Sequence, residues 1–106
     1  MAWIFLFCAG VLEVGWAYAM KRSAGFTSPA PTAITLALMI ASFVLLSVSM
    51  RSLPLGTAYS VWTGIGAIGA FFVGIVALGE AATPLRLVAA GLIVTGIVAM
   101  NVSSAP

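Results

Sequence analysis

The chain has 106 residues, 63% of them hydrophobic and only 6% charged, with a formal net charge of +2. Soluble domains carry about 25% charged residues, so this composition excludes an ordinary water-soluble domain. The chain contains no histidine, one cysteine and no basic run, which excludes a histidine-based metal site or triad, an intrachain disulfide and a nucleic-acid surface.

Four apolar runs, at about 2–20, 32–50, 56–78 and 84–101, are separated by short polar breaks. Each is near the ~20 residues that cross ~30 Å of hydrocarbon as a helix. In lipid the backbone must bond to itself, which leaves helices as the assignment. The expected fold class is an all-α membrane protein, a single four-helix transmembrane domain over residues 1–106. The breaks are too short to hide a soluble catalytic domain, so neither enzyme activity nor a cofactor is expected.

The first run has one ionisable side chain, Glu13. An ionised carboxylate in hydrocarbon costs roughly 2.5 kcal/mol on insertion scales and more in simulations. It therefore needs an aqueous cavity, a counter-charge or a bound proton, and no basic residue lies in the interior of any run. The run lacks a basic n-region and carries Glu13 within or just after its apolar part, which argues against a cleaved signal peptide. Ala9, Gly10, Glu13, Trp16, Ala17 and Met20 share one helical face by their spacing. Trp16, one turn beyond the acid, offers an aromatic wall and an N–H donor. Its depth in the run favours this over anchoring at the membrane interface. Cys8 reads as a small packing residue.

Lys21 and Arg22 follow the first run, where they complement a helix dipole and anchor to the headgroups. Pro29 and Pro31 end that loop and start the second helix. The second run is apolar apart from hydroxyls, with Ser42 near its midpoint. Two readings of Ser42 stand side by side: a bond to its own preceding turn, or orientation of the Glu13 carboxylate.

The third run places Tyr59 and Trp62 one turn apart, then Gly64, Gly66, Gly69 and Gly74. Gly66, Ala70 and Gly74 form a small-residue ladder that permits close helix approach. The glycines also make Gly64, Gly66 and Gly69 candidates for a hinge. Glu80, in the next loop, reads as a solvated charge. Thr83-Pro84 is a helix start with Thr as cap, and Arg86 can reach the headgroups. The fourth run has no ionisable group beyond its first turn. Its Gly91, Thr95 and Ala99, with Gly96 beside them, read as an oligomerisation surface.

Four helices enclose little volume, so a homodimer sharing one cavity is expected. Two copies of Glu13 would then meet, and burial with like-charge repulsion disfavours the doubly ionised pair. Their titrations would be coupled. A cation entering must displace a proton, since both need the same oxygens, and exposure to each side in turn then gives exchange. Lys21, Arg22 and Arg86 lie towards one membrane face and Arg51 towards the other, so the positive-inside bias is weak. Such a weak bias is compatible with insertion both ways round.

The Glu13 segment, Met20-Lys21-Arg22-Ser23-Ala24-Gly25-Phe26-Thr27, Pro54-Leu55-Gly56-Thr57-Ala58-Tyr59-Ser60-Val61-Trp62 and Gly64-Ile65-Gly66 resemble the small multidrug resistance family of bacterial proton-coupled exporters. The resemblance covers essentially the whole chain. It implies an antiparallel, dual-topology homodimer in the bacterial inner membrane, with the fourth helix at the dimer contact. It puts the essential carboxylate on Glu13, the aromatic wall on Tyr59 and Trp62, and the bending element on Gly64 to Gly66. Trp16, Ser42 and Thr63 make the chain similar to the guanidinium-exporting branch. That similarity implies Glu13 as guanidinium and proton site, Trp16, Ser42, Tyr59 and Trp62 as orienting or contacting residues, and Gly10 as clearance for the substrate. Guanidinium is planar, and its N–H donors match carboxylate geometry. Rival readings are a multidrug exporter of quaternary ammonium ions, which need aromatic walls more than hydroxyls, a non-transporting membrane subunit, and a lipid-carrier transporter.

Overall fold

The computed structural model describes residues 1–103. Four helices account for most of them: α1 (Ala2–Arg22), α2 (Pro29–Ser49), α3 (Leu55–Leu78) and α4 (Pro84–Ser103). All four are long and apolar enough to cross a membrane. α1 packs against both α2 and α3, α4 packs on α3, and α2 meets α3 only lightly. The helices thus lie side by side in the order α2, α1, α3, α4, in a slab measuring 45 × 34 × 16 Å. A helix with its side chains is about 10 Å across, so the slab is between one and two helices thick and encloses no central channel by itself.

The helix ends follow local chemistry. α2 begins at Pro29, earlier than the apolar run, because Ser28 is extended and a first-turn proline has no need of its missing N–H. α1 continues through Lys21 and Arg22, which fill its last turn and complement its dipole. The amide of Arg86 donates to Thr83 Oγ1 at 3.3 Å, the cap expected ahead of Pro84. Arg86 also donates from Nη1 to the Ala81 carbonyl at 2.9 Å and lies 5.3 Å above the Phe71 ring, which ties the 79–83 loop to α3.

The α1–α2 turn is tight and left-handed at three successive residues, Ala24 (φ 50), Gly25 (φ 73) and Phe26 (φ 67). The buried Ser23 holds it: Oγ donates to the Met20 carbonyl (2.6 Å) and accepts from the Phe26 amide (3.1 Å). A Cβ in this region is crowded against its own backbone, and glycine is not. Ala24→Gly is therefore expected to stabilise the fold by about 1 kcal/mol, less the extra freedom it gives the unfolded chain. The readout is a higher melting temperature in detergent.

The buried core joins three helices: Leu6 and Ala9 of α1, Leu46 of α2, and Ala58, Val61 and Trp62 of α3. Elsewhere the outer faces carry large apolar side chains, among them Ile40, Val76, Leu85 and Leu92. In water these would be an aggregation hazard, and in a bilayer they are the expected surface. Cys8 is exposed on α1 and does not pack inside as its small apolar character suggests. With every face of the helix apolar, periodicity could not tell inside from outside. α4 has a single buried residue, Ala90, and beyond the adjoining backbone of α4 itself no atom lies within 4 Å of where a Cβ would stand on Gly91 or Gly96.

Candidate functional site

Glu13 lies midway along α1 and points at α3. Its carboxylate fits there because position 66 is glycine: a Cβ on Gly66 would overlap Glu13 Oε1 and Cδ and stand 2.8 Å from Cγ. Oε1 is buried and accepts no hydrogen bond among the described residues. One turn on, the indole Nε1 of Trp16 is also buried with no hydrogen-bond partner among them. A buried polar atom without a partner is uncommon in native proteins, and each instance needs a reason. Here one acceptor and one donor are orphaned on the same stretch of helix.

Ser42 does neither of the two things its position suggested. Its fully buried hydroxyl donates to the Ala9 carbonyl of α1 at 2.7 Å and accepts from Trp62 Nε1 of α3 at 3.0 Å. Ala9 precedes Glu13 by one helical turn, so the same carbonyl is the helical acceptor for the Glu13 amide. One hydroxyl thereby joins three helices at the turn that carries the acid. It also fixes the Trp62 ring.

The aromatic side chains form a row. Trp16 meets Phe43 edge-on (6.4 Å between centroids, 75°), Phe43 meets Trp62 (5.8 Å), and Trp62 meets Tyr59 (5.6 Å). Phe43 is the member that sequence reading missed. Its only signal was its place next to Ser42 in a run read for hydroxyls alone. Tyr59 is 54% exposed, and with Thr63 it borders an open groove of ≈ 360 Å³ between α3 and α4. The fold therefore gathers Glu13, Trp16, Ser42 and Trp62 at the junction of α1, α2 and α3. Tyr59 joins them through the Trp62 ring, and Thr63 sits apart on the flank of α3.

Gly10 does not face open space. A Cβ there would lie 2.5 Å from Ile65 Cγ2 and 2.7 Å from Ile65 Cβ, so the missing side chain lets α3 approach α1 and leaves no clearance for a solute in this arrangement. The three glycines singled out in α3 face different neighbours. Gly64 accepts Ile97 of α4 (Cδ1 2.9 Å), Gly66 accepts Glu13, and Gly69 accepts Val14. α3 runs through all three without a break. On α4, the Thr95 hydroxyl donates to the Gly91 carbonyl at 2.8 Å, leaving the Gly91, Thr95 and Gly96 face open. Among the described residues no cluster of His, Cys, Asp or Glu could hold a metal ion. What the junction offers is a carboxylate oxygen able to accept a proton or a cation's N–H, beside aromatic faces that favour positive charge.

The family model described as Small Multidrug Resistance protein matches residues 1–93. A relative from Citrobacter freundii named "Guanidinium exporter" is 55% identical over 104 residues, covering 98% of this chain and 99% of the relative. Relatives with the same name from Escherichia coli (strain K12) and Salmonella typhimurium (strain LT2) are 53% and 51% identical over the same shares of each chain.

Proposed function

The chain belongs to the small multidrug resistance family, and from that membership we propose that it is a proton-coupled antiporter that exports guanidinium and small guanidinyl cations across the bacterial inner membrane. The observation that carries this reading is the Glu13 carboxylate, with Oε1 buried and unbonded among the described residues, in a chain more than half identical to proteins named as guanidinium exporters. A proton and a guanidinium compete for those oxygens, so occupation by one expels the other. The gradient of the first then drives the second outward.

Two copies are needed. One slab 16 Å thick cannot wall off a solute path, whereas two copies facing each other enclose a cavity with a Glu13 on each side. The open small-residue face of α4 around Gly91, Thr95 and Gly96 is suited to close contact between copies. The family resemblance supports an antiparallel pair, and the weak charge bias is compatible with it. Within the cavity Trp16 and Trp62 form the walls, Ser42 holds Trp62 in place, and Tyr59 and Thr63 line its outer part. Gly64, Gly66 and Gly69 are where α3 bends between the two openings.

The Trp16–Phe43–Trp62–Tyr59 row favours a second reading, a multidrug exporter, because quaternary ammonium ions bind to aromatic faces without needing hydrogen bonds. Proteoliposome flux with guanidinium, methylguanidinium and a tetraalkylammonium ion separates the two. Guanidinium exchange with protons is expected, and transport of the tetraalkylammonium alone would replace this reading with the second.

Ser42→Ala tests the Trp62 wall itself. It leaves the Trp62 Nε1–H buried without its acceptor, a loss of about 1–3 kcal/mol. The expected result is roughly tenfold weaker transport of guanidinium, and of any tetraalkylammonium ion that relies on the Trp62 face. Unchanged flux with a lowered melting temperature would mean that Ser42 serves the fold alone.

A further inference from the structure

Beyond Glu13, towards the loop end of the molecule, α1 and α3 are separated by a cleft of ≈ 220 Å³. Val14 lines it near the acid, Ala17, Ala70 and Gly74 keep it open, and Tyr18, Lys21 and Glu80 line it farther out. Lys21 is two helical turns past Glu13, about 12 Å along the axis.

Glu80 is exposed, as a solvated charge should be, and its carboxylate is folded back over α3. α3 stops at Gly79 in a left-handed cap (φ 69), which turns the Glu80 amide back onto the Gly74 carbonyl at 3.0 Å. The carboxylate then rests on Gly74, so closely that a Cβ there would overlap Oε1 and stand 2.8 Å from Cδ. Only glycine admits it. Among the described residues neither Glu80 nor Lys21 makes an ion pair. The C-terminal ends of α1 and α3 both lie here, and the helix dipoles add negative potential to that of the carboxylate, offset in part by Lys21 and Arg22 in the last turn of α1. A carboxylate at such an end favours a cation beside it. Tyr18 already pairs with a guanidinium outside the cleft: on the exposed surface of α1 the Arg22 guanidinium lies 5.9 Å from the Tyr18 ring centre, and Nη1 donates to the Tyr18 hydroxyl at 3.3 Å.

We propose that Glu80 is a second cation-accepting carboxylate, an outer station at the mouth of the α1–α3 cleft that takes a guanidinium-type cation before Glu13 does. The proposal rests on the guanidinium reading above. The planar cation sets two N–H groups on the Glu80 oxygens and a face towards Tyr18, then passes inward along Ala17 and Ala70. Lys21 beside it keeps the station weak, so the cation is released and not trapped. As a solvated charge at the rim, Glu80 raises the rate of arrival more than the final affinity.

The test is guanidinium flux into proteoliposomes across a range of concentrations, with wild type, Glu13→Gln, Glu80→Gln, Gly74→Ala and the Glu80→Gln/Gly74→Ala pair. Glu80→Gln should raise the half-saturating concentration roughly three- to tenfold while the rate at saturation holds. Gly74→Ala, whose Cβ meets the carboxylate, should do the same, and the pair should be no worse than either. A half-saturating concentration for Glu80→Gln equal to wild type overturns the station, as does a Gly74→Ala effect that persists undiminished once Glu80 is gone. A second readout needs no transport. In detergent-solubilised Glu13→Gln protein, added guanidinium should still shift the Gly74 amide resonance, and Glu13→Gln/Glu80→Gln should abolish that shift. Its absence from Glu13→Gln also overturns the proposal. If wild type moves no guanidinium, the exporter reading falls and the station with it. Wild-type flux that dies in Glu13→Gln but is untouched in Glu80→Gln removes the station alone.

Discussion

Glu13→Gln protein is expected to insert, fold and pair like wild type, yet to exchange guanidinium for protons at no more than about one hundredth of the wild-type rate. Glutamine has nearly the same shape, so the fit against Gly66 survives. What disappears is the charge. A hydrogen bond to a charged group contributes about 1.5–3 kcal/mol, and the guanidinium fork makes two at once. The amide also cannot take up a proton, so coupling is lost along with binding. The measurement is proton release on adding guanidinium to proteoliposomes, with melting temperature and oligomeric state in detergent as controls. Persistent exchange in this variant would falsify the assignment of the site. Wild type carries a matching signature. Because one proton competes with one cation at a carboxylate, the half-saturating guanidinium concentration should rise as the pH falls, by up to about tenfold per unit once protonation dominates. If it were independent of pH, competition could not be the mechanism.

Gly66→Ala should also damage transport, less severely than Glu13→Gln, while sparing the fold. The added Cβ would occupy the positions of Glu13 Oε1 and Cδ and stand 2.8 Å from Cγ. These atoms are the far end of a rotatable side chain, so α1 and α3 need not separate. The carboxylate swings aside instead, away from the orientation it holds in the cleft. Losing one well-placed charged hydrogen bond implies a rise of roughly tenfold or more in half-saturating guanidinium. The melting temperature should change by only a few degrees. A variant that melts far lower and transports normally once folded would show that Gly66 serves helix packing and not the acid. The Glu13→Gln/Gly66→Ala pair should be no worse than Glu13→Gln alone, because both changes act on one carboxylate.

Several features of the site could be read before any coordinates. Glu13 stood out because it is the one acid in an apolar span and no base accompanies it. Trp16 and Trp62 stood out by their helical spacing from it and from Tyr59. The glycines of α3 signalled close approach, and each of Gly64, Gly66 and Gly69 does accept a neighbour. Which neighbour was not legible. On an amphipathic helix the polar face marks the outside, but on helices apolar all round no contrast survives. Hence Cys8 points outward, Gly10 takes up Ile65 in place of a solute, and Phe43 bridges Trp16 and Trp62 unannounced.

By itself the sequence determined four membrane-crossing helices, since the hydrophobic gain adds residue by residue along each run and needs no knowledge of partners. It also determined the chemistry at stake, since a single carboxylate in oil is costly wherever the helices lie. Tertiary structure alone decided what surrounds that acid. Ser42 could have bonded within its own helix, and only the approach of α1 and α3 gave it the Ala9 carbonyl and the Trp62 indole at 2.7 and 3.0 Å. Glu80 could have pointed anywhere from its loop, and only the turn at Gly79 laid its still exposed carboxylate over Gly74. Hydrogen bonds and close contacts depend on tenths of an ångström between helices, and that spacing is set by all the packed side chains together.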